Sequence, residues 1–212
     1  MEARVERHVL LRLIKALMEE EEFMVISRIV SADPSLAAKI LQFVNSAHSN
    51  LRRKINSVED AIAYLGYRKL KEIAFVILVS SILTEKNPEE IKELLTFAYL
   101  MKLAAKERAP GLSDEAFMVG ILYPAYRVMG ERLIEVLKEA GVSPGVIEGL
   151  TNPESPLGIL MKFAWKFLPY CLKLSKGEIE EIPIKTDKFR KTFLTKICLD
   201  ANYEAEKIVK LL

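Results

Sequence analysis

Few side chains in this sequence could carry a reaction. It holds two histidines, His8 and His48, and two cysteines, Cys171 and Cys198. A histidine serves as a general base when a carboxylate or a nucleophile is fixed beside it, and neither has such a partner in its local sequence. His8 falls on the polar side of its helix, and His48, at a helix end, reads as a cap or a solvated side chain. The cysteines lack metal-site or redox spacing and read as buried thiols packing a core in a reducing cytoplasm. No catalytic residue, no metal-ligand set and no cofactor site is expected from these residue types and spacings.

Residues that could bind are easier to find. Asn45, with Ser46 and Ser49, sits at the end of a helix. The cluster could line a pocket, or Asn45 could satisfy the backbone of the following loop. Arg52, Arg53 and Lys54 form one basic run, and Arg68, Lys69 and Lys71 a second, each near a loop–helix junction. Together with Asn45 they make the first candidate interaction surface. They could meet an acidic partner or a phosphate-bearing ligand, or be a solvated face with ordinary ion pairs. The net charge of +2 supplies no global field, and no aromatic residues are interleaved with the basic run, so nucleic acid is not an expected partner.

The elements that position these residues are helices. Asp33 is a natural N-cap and Pro34 follows at the first helical position. Leu36, Ile40, Val44 and Ala47 then form an apolar stripe at i, i+4 spacing. Ser57 starts a second helix, with Glu59 and Asp60 at its positive end and Gly66 at the place of a left-handed C-terminal residue. A third helix starts near Arg68, and from Ile73 to Leu83 it is apolar on every side apart from two serines, which predicts a place in the middle of a bundle. Asn87-Pro88, Ser143-Pro144 and Ser155-Pro156 repeat the cap-then-proline step, and Ser113 reads as a further cap. Pro124 is expected to bend or break its helix, and Pro169 to kink one. Phe189, Phe193, Ile197, Ala201, Ala205, Ile208 and Leu212 form a last stripe, which could pack in cis or dock a partner. With no sustained alternation of apolar and polar residues, the fold class is all-α, a multi-helix bundle.

Several of these stretches resemble one family. Asp33-Pro34-Ser35-Leu36-Ala37, Asn45-Ser46-Ala47, Ile55-Asn56-Ser57-Val58, Ala61-Ile62 and Leu65-Gly66 are similar to the signature of the HDOD domain, the HD-related output domain of bacterial signalling proteins. Leu51-Arg52-Arg53-Lys54-Ile55, Asp114-Glu115-Ala116-Phe117-Met118-Val119-Gly120 and Ser155-Pro156-Leu157-Gly158 resemble more closely the branch that follows an EAL domain. The similarity runs from about Val9 to Leu168. It implies an HD-domain-like helical bundle working as a non-catalytic signalling or regulatory module. In relatives that keep the metal-binding His-Asp pair, the pair follows a Gly-x-Leu step; here Gly120-Ile121-Leu122 is followed by Tyr123-Pro124. The earlier ligand helix offers Phe97-Ala98-Tyr99, again without histidine. A phenol and a proline ring do not replace imidazole and carboxylate as metal ligands. The alternative implied by the same resemblance is a degenerate nucleotide-binding protein, or an unusual phosphohydrolase, using a pocket around Tyr99 and Tyr123. A polar, open pocket would favour that alternative, and one filled by aromatic rings the non-catalytic reading.

A chain of 212 residues, half of them hydrophobic, suits one domain with a short extension. The expected division is an HDOD-like domain over 1–176 and a loop plus terminal helix over 177–212, packed on the same domain. The N-terminal residues lack the apolar core of a signal peptide, and no run is long enough for a membrane span, so a cytoplasmic, bacterial protein is expected. The excess of Glu over Asp and a single glutamine, Gln42, lean towards a thermophilic source. The expected partner is another signalling protein, with a small nucleotide as the second possibility.

Overall fold

Cap chemistry divides this chain into helices. In the computed structural model, which describes residues 5–47, 54–83, 87–185 and 187–209, the elements are ten α-helices and one short 3-10 turn, with no strand among the described residues. They are α1 (Arg7–Met18), α2 (Phe23–Ser31), α3 (Pro34–Ala47), α4 (Val58–Ile82), α5 (Pro88–Arg108), the 3-10 turn Pro110–Leu112, α6 (Ser113–Met129), α7 (Glu131–Glu139), α8 (Pro144–Thr151), α9 (Pro156–Ser175) and α10 (Lys188–Val209). The fold is all-α.

Asp33 holds two helix starts at once. Its Oδ1 accepts from the backbone N–H groups of Ser35 and Leu36 at 2.8 and 3.0 Å, in the first turn of α3. Its Oδ2 accepts from the N–H of Glu6 at 2.7 Å, just ahead of α1. Ser57 caps α4 through Asp60 N–H, Ser155 caps α9 through Gly158 N–H, and Asn87 with Glu90 closes a reciprocal capping box on α5. Ser113 is no cap: its hydroxyl donates to the carbonyl of Lys102, because the 3-10 turn before it already leads the chain into α6.

The two helices that the sequence suggests between Ser57 and Leu83 run on from one another as the two halves of α4, separated by a kink at the non-helical Gly66. Gly66 has φ 69° and ψ 165°, and a Cβ there would meet nothing within 4 Å. Backbone conformation, not space, demands glycine at this point. Pro124 and Pro169 lie inside α6 and α9, and neither ends its helix.

The second half of α4, Ile73 to Val79, is buried on all sides between α1, α3 and α6. Helix α5 is the other axis, packed against α6, α9 and α10. The α5–α6 approach is close because Gly120 has no side chain: a Cβ there would lie 2.7 Å from the Cα of Ala98. Helix α10 lies along α5 and α9, with Ile197, Ala201, Ala205 and Ile208 buried against them. Within that seam Asn202 is buried; its amide donates to the carbonyls of Cys171 and Cys198 at 2.7 and 2.9 Å, and its oxygen accepts from the Thr96 hydroxyl at 3.3 Å.

The same seam corrects the reading of the cysteines as free thiols. Cys171 on α9 and Cys198 on α10 are joined in a disulfide, with Cα atoms 4.7 Å apart. Their sequence separation of 27 gives no local sign that the two helices bring them face to face. The thiol-based argument for a reducing compartment lapses with it. No helix of the described residues is long and apolar enough to cross a membrane.

Candidate functional site

The most elaborate polar arrangement centres on Glu72, a carboxylate only 6% exposed. It sits on α4 just before the apolar run, and the network around it draws on α4 itself, α5, α6 and α10. Lys69, one turn earlier, donates to Oε2 at 2.9 Å. Lys102 of α5 donates to Oε1. The phenol of Tyr99, also on α5, donates to Oε2 at 3.1 Å and accepts from Lys69 at 2.9 Å. Glu204 of α10 lies 3.9 Å from Lys69, and Asp114 of α6 lies 3.7 Å from Lys102 and 3.1 Å from Arg68.

Burial favours the protonated acid at Glu72, but the Lys69 and Lys102 charges and their hydrogen bonds outweigh it and hold the carboxyl below its ordinary range. Burial, reinforced by the Glu72 and Glu204 charges, pushes the Tyr99 phenol well above its usual range, so it remains a hydrogen-bond donor. Three cations, Arg68, Lys69 and Lys102, thus meet three carboxylates, Glu72, Asp114 and Glu204.

Two clefts flank this network and share Arg68 and Glu72. One, of about 310 Å³, is lined also by Lys69, Tyr99, Lys102 and Glu204. The other, of about 290 Å³, opens beside Lys71, Glu20, Tyr67 and Asp114.

The second basic run is therefore divided. Arg68 is exposed and paired with Asp114, Lys69 turns inward to Glu72, and Lys71 lines the other cleft. They stand just past the kink at Gly66, in the opening turns of the second half of α4. Lys54 is exposed. Arg52 and Arg53, with His48 and Ser49, lie outside the described residues. Asn45 is occupied: its amide donates to the carbonyls of Leu41 and Ile55 at 2.9 and 2.8 Å, and its oxygen accepts from Ile55 N–H at 2.9 Å. It pins the chain entering α4 to the end of α3.

Tyr99 and Tyr123 do not share one pocket. Tyr99 faces the Glu72 network and packs on Phe117, ring centroids 4.9 Å apart. Tyr123 faces away from it, with Trp165 of α9 at 6.2 Å edge-on, and Trp165 in turn covers Phe97 at 4.6 Å. Of the residues matched by resemblance to the metal-binding pair and its ligand helix, Tyr123 and Phe97 are thus joined through the ring of Trp165. Among the described residues no group of three or more His, Cys, Asp or Glu side chains is placed to hold a metal ion.

Sequence reading missed Glu72, Lys102, Asp114 and Glu204. The only local sign was the i, i+3 pair Lys69–Glu72 placed just before an apolar run.

Comparison with known proteins adds lineage. The HDOD domain model matches residues 7–130. The chain is 26% identical to the cyclic di-GMP phosphodiesterase CdgJ of Vibrio cholerae over 167 residues, 73% of this chain and 38% of that protein. It is 24% identical to YuxH of Bacillus subtilis over 133 residues, 61% of this chain and 32% of that protein. A Treponema pallidum protein matches over 58% of this chain and 26% of its own length, at 24% identity. The chain spans about a third of the length of the curated relatives it matches. No solved structure matches it.

Proposed function

Since this chain belongs to the HDOD domain family, we propose that it is a non-catalytic signal-transduction module that acts by binding another signalling protein. The observation that carries this reading is the ring cluster. Phe97 and Tyr123, at the positions that the family resemblance matches to metal ligands, pack on Trp165, and none of the three offers imidazole or carboxylate. The charge balance around Glu72 points the same way. In the cleft beside Tyr99 each of Arg68, Lys69 and Lys102 already faces a carboxylate, which leaves no surplus there to hold a phosphate group. The phosphodiesterase activity named for the Vibrio relative is that of a protein of which the matched region is 38%; we read the region shared with this chain as the binding part.

One observation favours the alternative, a degenerate HD-type nucleotide-binding protein or an unusual phosphohydrolase: the cleft beside Tyr99 is polar and carries Lys69 and Lys102. The two readings separate in one assay. Purified chain mixed with cyclic di-GMP and Mn²⁺ is expected to give no product above a protein-free control and no saturable binding. Turnover or micromolar binding that disappears in Lys102→Ala would establish the alternative instead.

The binding surface is proposed to include Arg52, Arg53 and Lys54. Reversing Arg52 and Arg53 to Glu is expected to leave the thermal transition nearly unchanged while slowing association with an identified partner, most at low salt. Unfolding of the double variant would mean that the arginines are structural, and unchanged association would move the surface elsewhere.

A further inference from the structure

A third cavity lies apart from the charged clefts. It opens between the end of α5, the first turns of α9 and the first half of α10, with a volume of about 370 Å³. That is the low end of the roughly 300–1,000 Å³ of small-molecule sites. Its walls are hydrocarbon: Ala105, Leu157, Leu160, Phe163, Phe193 and Ile197 are among the residues lining it. Only two lining side chains are charged, Arg108 and Arg190, and both are positive. Arg108 is exposed and makes no ion pair among the described residues, while the Arg190 guanidinium has an exposed contact to Asp187 at 3.4 Å, the same carboxylate accepting from the Arg190 N–H at 2.9 Å. Such a contact is worth little and leaves the guanidinium able to take a better acceptor.

A hydrocarbon hollow edged by two guanidiniums matches one kind of small molecule: an apolar tail ending in a carboxylate. The tail would leave water against Leu160, Phe163 and Phe193, and the head would take the planar, two-pronged hydrogen bonding that arginine offers a carboxylate. We propose that this cavity binds a free medium-chain carboxylic acid. Two of its walls, α9 and α10, lie beyond residues 7–130, whereas α5 lies inside them. Occupation would therefore act on the seam between the stretch that the family model matches and the helices beyond it, which suits an input site for a binding module.

Calorimetric titration of the full chain with hexanoate, octanoate, decanoate and decanol tests this. Each step of two methylenes is expected to tighten binding by up to about fifteenfold while the tail still finds wall. Decanoate should bind about tenfold or more tighter than decanol. The double variant Arg108→Gln, Arg190→Gln, at two exposed positions, should lose that preference and keep decanol binding. Leu160→Trp should weaken acid and alcohol together with the thermal transition retained. Absence of saturable decanoate binding in the millimolar range overturns the proposal, as do equal affinities for acid and alcohol, or a preference that survives the double variant. Sedimentation with phosphatidylglycerol vesicles that decanoate does not compete away would also overturn it, by assigning the face to a membrane surface. Should Leu160→Trp unfold, the chain-length series and the arginine pair still decide the matter.

Discussion

Glu72→Ala is expected to destabilise the protein by about 3 kcal/mol, the lower part of the roughly 3–5 kcal/mol seen when one member of a buried ion pair is removed. Removal of the carboxylate leaves Lys69 and Lys102 facing each other across Tyr99 without their common acceptor. The lower part applies because both ammonium groups retain some solvent, with side chains 28% and 19% exposed, and a second carboxylate each in Glu204 and Asp114. Urea unfolding at neutral pH measures the loss, and a value below about 1 kcal/mol would falsify a structural role for the pair.

The same side chain sets an acid limb. Its folded-state pKa is depressed, because the Lys69 and Lys102 charges and hydrogen bonds outweigh burial. In the window below about pH 4.3, the ordinary glutamate value, the unfolded chain takes up a proton that the folded chain still refuses. The stabilisation is fully present above that pH and is lost as pH falls through the folded value. Glu72→Ala should therefore flatten this limb of the stability profile as well as lower its plateau.

Phe97→Ala is expected to cost about 3–5 kcal/mol, the range for deleting a buried aromatic ring. Phe97 is 1% exposed, and its ring lies under that of Trp165 on α9. Its loss opens a cavity where α5, α6 and α9 meet, and the close α5–α6 contact at Gly120 limits how far the helices can collapse into it. The chain has one tryptophan, so fluorescence reads this site alone. Trp165 is already 47% exposed; with its apolar neighbour gone, its emission should move to longer wavelength while the folded baseline persists. A stability loss under about 1 kcal/mol would show that Trp165 settles into the vacated space and that the cluster is loosely packed.

Much of the architecture could be read from the chain because it is written locally. Asp33, Ser57, Asn87 and Ser155 cap helices as their sequence neighbours predict, and the all-apolar run from Ile73 is buried as its lack of a polar face requires. What escaped was long-range. Lys102 looks like any lysine on a helix until α4 is laid beside α5, and Cys171 gives no hint of Cys198 until α9 meets α10. Ser113 misled because a cap residue type stands where the preceding 3-10 turn had already begun the helix. The basic residues at 68–71 are adjacent in sequence, but their spacing along a helix sends Lys69 and Lys71 to different clefts.

Asn202 has a meaning beyond its three hydrogen bonds. An apolar seam between parallel ridges tolerates sliding, because one leucine or alanine contact resembles the next. A buried amide does not, since its donors and acceptor find partners in only one alignment. Slipping α10 by one turn along α5 and α9 would strand the amide away from the carbonyls of Cys171 and Cys198 and from the Thr96 hydroxyl, at about 1–3 kcal/mol for the unsatisfied groups. The residue works as a detent: it adds little to the depth of the native well but makes neighbouring wells shallow, so that the last helix has one seat rather than several.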